Sequence, residues 1–160
     1  MEIPDGPKRK KKTIRMIPQA RTPAHEQDPK VRARNFEEVN CGYLVEDAHL
    51  EAERCLMCPE QPCVSGCPVN IAIPDFIHRL VERDYRGAYD VITDSNLLPS
   101  VCGRVCPQEN QCEGVCTVGE SLEPVAIGRL ERWVGDLAIK EGWSNIPYIE
   151  PSGFRVGIVG

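Results

Sequence analysis

Long apolar runs are missing from this chain of 160 residues, and no stretch approaches the eighteen or so needed to cross a bilayer as a helix. The N-terminus has no apolar core of the signal-peptide kind. Membrane and secretory readings are therefore disfavoured, and a cytoplasmic protein is expected. Aromatic residues are scarce, at 6% of the chain, so any core rests on aliphatic side chains. The first 35 residues read as an arm, leaving about 110 to 120 residues for that core, a size at which bonds to a metal or cofactor help. Histidine is also rare: only His25, His49 and His78 occur, all outside the cysteine-rich stretches. His49 and His78 are expected on helices as surface or partly packed residues.

Charge is unevenly spread. Residues 1–35 hold ten Lys/Arg against four Asp/Glu, and residues 36–160 hold nine against twenty. An acidic body disfavours nucleic acid as its partner. The run "KRKKK" (Lys8 to Lys12) suits a polyanion or import tag, but a solvated tail or a strap over an acidic surface is the plainer reading. The chain thus divides into a basic extended arm (1–35), a helical domain (36–145), and a linker with the start of another domain (146–160).

What is abundant is cysteine, with nine residues. In a chain without a visible secretory signal, that number points to metal ligation before disulfides. Eight fall in two blocks. The first is Cys55-x2-Cys58-x4-Cys63-x3-Cys67-Pro68, and the second Cys102-x3-Cys106-Pro107-x4-Cys112-x3-Cys116. Cys41 stands alone and is expected to be a packed thiol. Zinc favours two C-x2-C knuckles or a Cys2His2 set, and only Cys55 and Cys58 form a knuckle. Iron–sulfur cubanes suit the blocks better: three close cysteines with a distant fourth hold one cluster, and the last cysteine of a run serves a neighbouring one. Cys67 is then expected to join the second block, and one second-block cysteine to return to Cys55, Cys58 and Cys63. The spacing alone does not say which.

The periodicity predicts four helices. One covers "EDAHLEAERCL", with Ala48, Leu50, Ala52, Cys55 and Leu56 inward and Cys55 near its end. A second begins at Pro74 and turns Phe76, Ile77, Leu80 and Val81 inward; a third lies in "GAYDVITDSN" with Ala88, Val91 and Ile92. "LLPSVCGRVCPQENQCEGVC" reads as loops and single turns. The longest helix is expected from Pro124 to near Gly142, with Ile127, Leu130, Val134, Leu137 and Ala138 inward and Arg129, Arg132, Asp136 and Lys140 opposite. Glu131 falls on the edge of the inward face, where an unpaired carboxylate is costly; a salt bridge to an arginine such as Arg104 would answer that cost. The final "RVGIVG" reads as a β-strand running into Gly160, the pattern of a first glycine in a dinucleotide-binding motif that would continue beyond the last residue.

The stretches "AERCLMC", "CPVNIAIPDFI", "NLLPSVCGRVCPQENQCEGVC", "PVAIGRLERW" and "RVGIVG" together resemble the N-terminal iron–sulfur domain of the glutamate synthase small (β) subunit. That domain also occurs in the large subunit of NADH-dependent reduced ferredoxin:NADP oxidoreductase and in dihydropyrimidine dehydrogenase. The resemblance covers residues 28 to 160. It implies a mainly α fold, a helical ferredoxin-like domain carrying two 4Fe-4S clusters, followed by FAD- and NAD(P)-binding domains. It further implies that Cys55, Cys58, Cys63 and Cys116 hold the first cluster. Cys67, Cys106, Cys112 and Glu131 would hold the second, with Cys102 not a ligand. Glutamate at 131, where dihydropyrimidine dehydrogenase has glutamine, favours the glutamate synthase branch over pyrimidine reduction.

The resulting expectation is an electron-transfer domain of an NAD(P)H- and FAD-dependent oxidoreductase, relaying electrons between flavin and a partner subunit, in either direction. The 160 residues alone are not expected to turn over. Its rivals are a zinc-stabilised protein-interaction module and a regulatory iron–sulfur sensor.

Overall fold

The computed structural model describes residues 17–159; the run Lys8 to Lys12 and Gly160 lie outside them. The described chain is mainly helical, with one two-stranded antiparallel sheet, β1 (His25–Glu26) against β2 (Asn40–Gly42). Seven α-helices follow the chain order: α1 (Pro29–Arg32), α2 (Val45–Ala52), α3 (Pro62–Ser65), α4 (Ile73–Val81), α5 (Tyr85–Thr93), α6 (Pro99–Val105) and α7 (Ile127–Glu141). Short 3-10 turns at Gln108–Asn110 and Thr117–Glu120 complete the second cysteine block. No described helix is long and apolar enough to cross a membrane.

Helices α2, α4, α5 and α7 enclose one core. Phe76, Ile77 and Leu80 of α4, Ala88 and Ile92 of α5, and Leu130 and Val134 of α7 are buried together. Burying a large aliphatic side chain yields about 1.5–3 kcal/mol, so this cluster holds the helices in place. Cys55, Cys63, Cys67, Cys112 and Cys116 lie against it. Pro74 sits in the first turn of α4, where its missing N–H costs nothing. Val81 and Val91, expected inward, are only partly buried. In α2 the inward stripe is Ala48, Glu51 and Ala52, and Leu50 faces solvent at 55% exposure. The helix ends at Ala52, so Cys55 follows it by a turn.

Helix α7 starts at Ile127, three residues after Pro124, because carboxylates intervene. Glu51 accepts from Ala126 N at 2.8 Å and Glu113 accepts from Gly128 N at 3.0 Å. Two buried carboxylates thus satisfy orphan N–H groups at the positive end of the helix dipole. The helix closes on Gly142, at φ 67°, whose N–H reaches Ala138 and Ile139 carbonyls, the left-handed cap that glycine provides.

Three expectations change at α6, α7 and β2. Pro99–Val105 is a two-turn helix where the composition suggested loops. Gly103 explains it: a Cβ there would meet Arg132 N at 2.5 Å, so only glycine lets α6 lie flat on α7, and tertiary packing overrides local composition. Arg132, expected on the solvent side of α7, is 7% exposed. Strand β2 folds over that side, and Arg132 donates to Asn40 O at 2.7 Å and Oδ1 at 3.1 Å. Cys41, expected to be packed, is exposed on the outer side of β2.

Residues 17–28 run mostly extended, but they are tied to the body. Ile17 is buried, the Pro18 and Gln19 carbonyls accept from Arg54, and Arg21 pairs with Glu113. Residues 146–159 are exposed and contain no strand, so the β-strand expected in "RVGIVG" does not form among the described residues.

Candidate metal centre

The loop from Cys55 to Cys63 is bent by two non-glycine residues with positive φ, Met57 (54°) and Gln61 (45°). Left-handed backbone costs an ordinary residue on the order of 1 kcal/mol or more. That cost is consistent with a loop whose shape is imposed by what it must surround. Helix α3 then carries Cys63 and ends just before Cys67.

None of the nine cysteines forms a disulfide. Cys55, Cys58, Cys63 and Cys116 line one small cavity, walled on its other sides by Ile73, Ile77 and Val118. Burial pushes the Cys63 thiol up to about 12, and Cys55, Cys116 and Cys58 push it the same way. The structure therefore brings Cys116 back across more than fifty residues to the first three cysteines. Of the second-block cysteines whose return the spacing left open, it is the one at this cavity.

The other donors form a second group. Burial raises Cys112 to about 12, reinforced by Glu113, Cys67 and Glu131. Cys106 is raised by burial and then by Cys102, Glu131 and Cys67. So Cys67, Cys106, Cys112 and Glu131 share one neighbourhood, and Cys102 lies in it too, acting on Cys106 ahead of Glu131 and Cys67. Glu131 is 6% exposed, and burial pushes its carboxyl up to about 7 against an opposing hydrogen bond from Asn96. Arg104 does not answer its charge: that guanidinium pairs with Glu38 and Asp136 at 2.7 Å each.

Each neighbourhood thus crowds acids upon acids. Thiols that resist ionisation in each other's company are the donor chemistry of a cationic occupant, which would lower every one of these pKa values together. Eight soft and hard donors in two groups of four fit two cubane clusters. Among the described residues, no three His, Cys, Asp or Glu groups lie close enough to hold a single metal ion. The histidines are engaged elsewhere, His25 with Asp47, His49 with Tyr85 and His78 with Glu82.

Four supporting residues escaped the sequence reading. Asn96 lies in an apparent loop. Glu113, beside Cys112, reads as a surface residue in a glycine-containing turn. Glu51 and Arg54 form a fully buried ion pair; their placement at i and i+3 on an otherwise inward helical face was the available signal.

Comparison with known proteins points to an iron–sulfur family. Residues 32–143 match the family described as dihydropyrimidine dehydrogenase domain II, 4Fe-4S cluster. The glutamate synthase [NADPH] small chain of Escherichia coli is 36% identical over 132 residues, covering 82% of this chain and 28% of that protein. The glutamate synthase [NADH] of Saccharomyces cerevisiae is 36% identical over 148 residues, covering 91% of this chain and 7% of that protein. The NAD-dependent dihydropyrimidine dehydrogenase subunit PreT of Escherichia coli is 40% identical over 92 residues, 58% of this chain and 22% of that protein. The chain spans less than a third of the length of these relatives.

Proposed function

The chain belongs to the family of the dihydropyrimidine dehydrogenase domain II, 4Fe-4S cluster, and from that membership we propose that it is an electron-transfer domain holding two such clusters. Cys55, Cys58, Cys63 and Cys116 hold the first; Cys67, Cys106, Cys112 and Glu131 hold the second. The observation that supports this reading is the partition of the buried donors, with Cys63 acted on by Cys55, Cys58 and Cys116, and Cys112 by Cys67 and Glu131.

When bound, the clusters supply one-electron redox chemistry. The chain's residues ligate them, fix their separation and set the dielectric around them. The α3 turn between Cys63 and Cys67 carries a donor of each set only four residues apart, which keeps the two groups adjacent. Core side chains of α4 and the Val118 turn shield the first set from water. The carboxylate of Glu131 is a harder donor than thiolate, so it tunes the second cluster toward the ferric state.

The whole protein is an NAD(P)H- and FAD-dependent oxidoreductase of the glutamate synthase small-chain type, cytoplasmic, in which this domain relays electrons between flavin and a partner subunit. Two of the relatives are named as a small chain and a subunit, which supports a partner.

Anaerobic metal analysis tests the proposal. Two clusters give about eight iron and eight sulfide per chain with broad visible absorption. Stoichiometric zinc without sulfide would replace it with the interaction-module reading.

A further inference from the structure

Asn96 follows α5 and is only 8% exposed. Its side chain does three things at once. Nδ2 donates to Glu131 Oε1 at 2.6 Å. Oδ1 accepts from Leu98 N at 3.0 Å and from the Cys102 thiol at 3.5 Å. The backbone bond fixes which end of the amide is which: with Oδ1 on Leu98 N, the NH2 group must face the carboxylate.

These bonds act oppositely on two donors beside the same thiols. The amide holds the carboxylate of Glu131 in place through one oxygen, leaving the other oxygen to a further partner. Cys102 is held as a hydrogen-bond donor to the same amide, a bond it would have to give up in order to ligate, because thiolate is the binding form. Both residues act on Cys106, so either is near enough to compete for the same place. The bland alternative, that Asn96 only caps the turn before α6, accounts for the Leu98 bond and not for the other two.

We propose that Asn96 is the positioning residue that makes Glu131, and not Cys102, the fourth donor of the second cluster. The inference rests on the reading of Glu131 as a ligand. Outer-shell hydrogen bonds of this kind set the orientation and basicity of a ligand, and their loss weakens metal binding roughly 10- to 100-fold.

The test uses the reconstituted 160-residue chain and follows the electron paramagnetic resonance spectrum of its reduced clusters, with iron release to a chelator beside it. Asn96→Asp keeps the acceptor for Leu98 N but turns a donor into an anion facing Glu131. It is expected to abolish the native signal of the second cluster and to speed its iron release roughly 10- to 100-fold. The first cluster's signal stays native and reports an intact fold; Asn96→Ala serves in its place should the new charge unfold the chain. Glu131→Ala is expected to produce the same change, and adding Asn96→Asp to it nothing further, since residues acting through one another are not additive. Cys102→Ser is nearly silent alone and costs further iron in the Asn96→Asp background. A native second signal in Asn96→Asp beside an altered one in Glu131→Ala overturns the inference and leaves the ligand reading standing. Additive losses in the double variant, or loss of the second cluster in Cys102→Ser alone, also overturn it. A native second signal in Glu131→Ala removes the ligand reading itself, and the inference with it.

Discussion

Arg54 Nη1 stands 2.8 Å from Glu51 Oε1, and neither side chain has any exposure to solvent. Arg54 immediately precedes Cys55, the first donor of the first set. Its guanidinium also donates to the carbonyls of Pro18, Gln19, Glu123 and Pro124. Glu51 in turn accepts from Thr22 N at 2.7 Å and Ala126 N at 2.8 Å. One ion pair thus pins the N-terminal segment, the end of α2 and the start of α7 around the cysteine loop.

Breaking that pair from one side strands a buried charge. Arg54→Met is expected to cost about 3–5 kcal/mol, read as a shift in the denaturation midpoint. Iron bound by the first set should fall with it, since Cys55 loses its support. A loss under about 1 kcal/mol would show the pair to be dispensable.

The packing of α6 on α7 predicts a second loss. A Cβ at Gly103 would meet the backbone of α7 at Arg132 N and Gly128 O, and backbone cannot give way as a side chain can. Gly103→Ala should destabilise by about 1–3 kcal/mol through overpacking, whereas alanine at an open helical glycine would stabilise. Because Cys102 and Cys106 flank Gly103, the second cluster should be the more affected. A neutral or raised melting temperature would mean that the two helices are not held at this distance.

Much of this arrangement was legible in the residues. The four core helices and the cap at Gly142 follow from periodicity and turn chemistry. The odd placement of Glu131 on an inward face followed from the angle per residue. Spacing alone sent Cys67 to the second group and asked one second-block cysteine to return. Other features were hidden for physical reasons. Helix α6 is made by a contact between Gly103 and α7, which local composition cannot express. Met57 and Gln61 adopt left-handed backbone that neither residue prefers. Arg132 reads as a solvent-facing charge until β2, ninety residues earlier, covers it. Asn96 is visible only once α5 and α7 are brought side by side.

Two neighbouring cysteines, Cys102 and Cys106, differ in what else they face. Cys106 lies among Glu131, Cys67 and Cys102, whereas Cys102 is turned to Asn96. Cys106→Ser should therefore lose the second cluster, and Cys102→Ser should retain most of it, measured as iron and sulfide per chain. Equal loss from both variants would remove the distinction between them.

His49 gives the fold a pH dependence near neutrality. It is 8% exposed and its ring nitrogen lies 3.0 Å from the Tyr85 hydroxyl. Burial lowers its pKa below the ordinary 6.5, helped by the Arg83 guanidinium and opposed by Glu46 and Glu53. A histidine with a depressed folded pKa binds its proton more readily when the chain is unfolded, so acid favours unfolding. Its contribution is fully present above pH 6.5 and is lost as pH falls from there toward the folded value. One proton sets the ceiling on the slope, about 1.4 kcal/mol per pH unit. Anaerobic melting of the cluster-loaded chain between pH 8 and about pH 5.5 should show a falling midpoint below the ordinary histidine value. His49→Gln, which retains a hydrogen-bonding partner for Tyr85 but cannot titrate in this range, should flatten that fall while lowering the midpoint at pH 8 only modestly. An unchanged slope in His49→Gln would assign the acid sensitivity to another group.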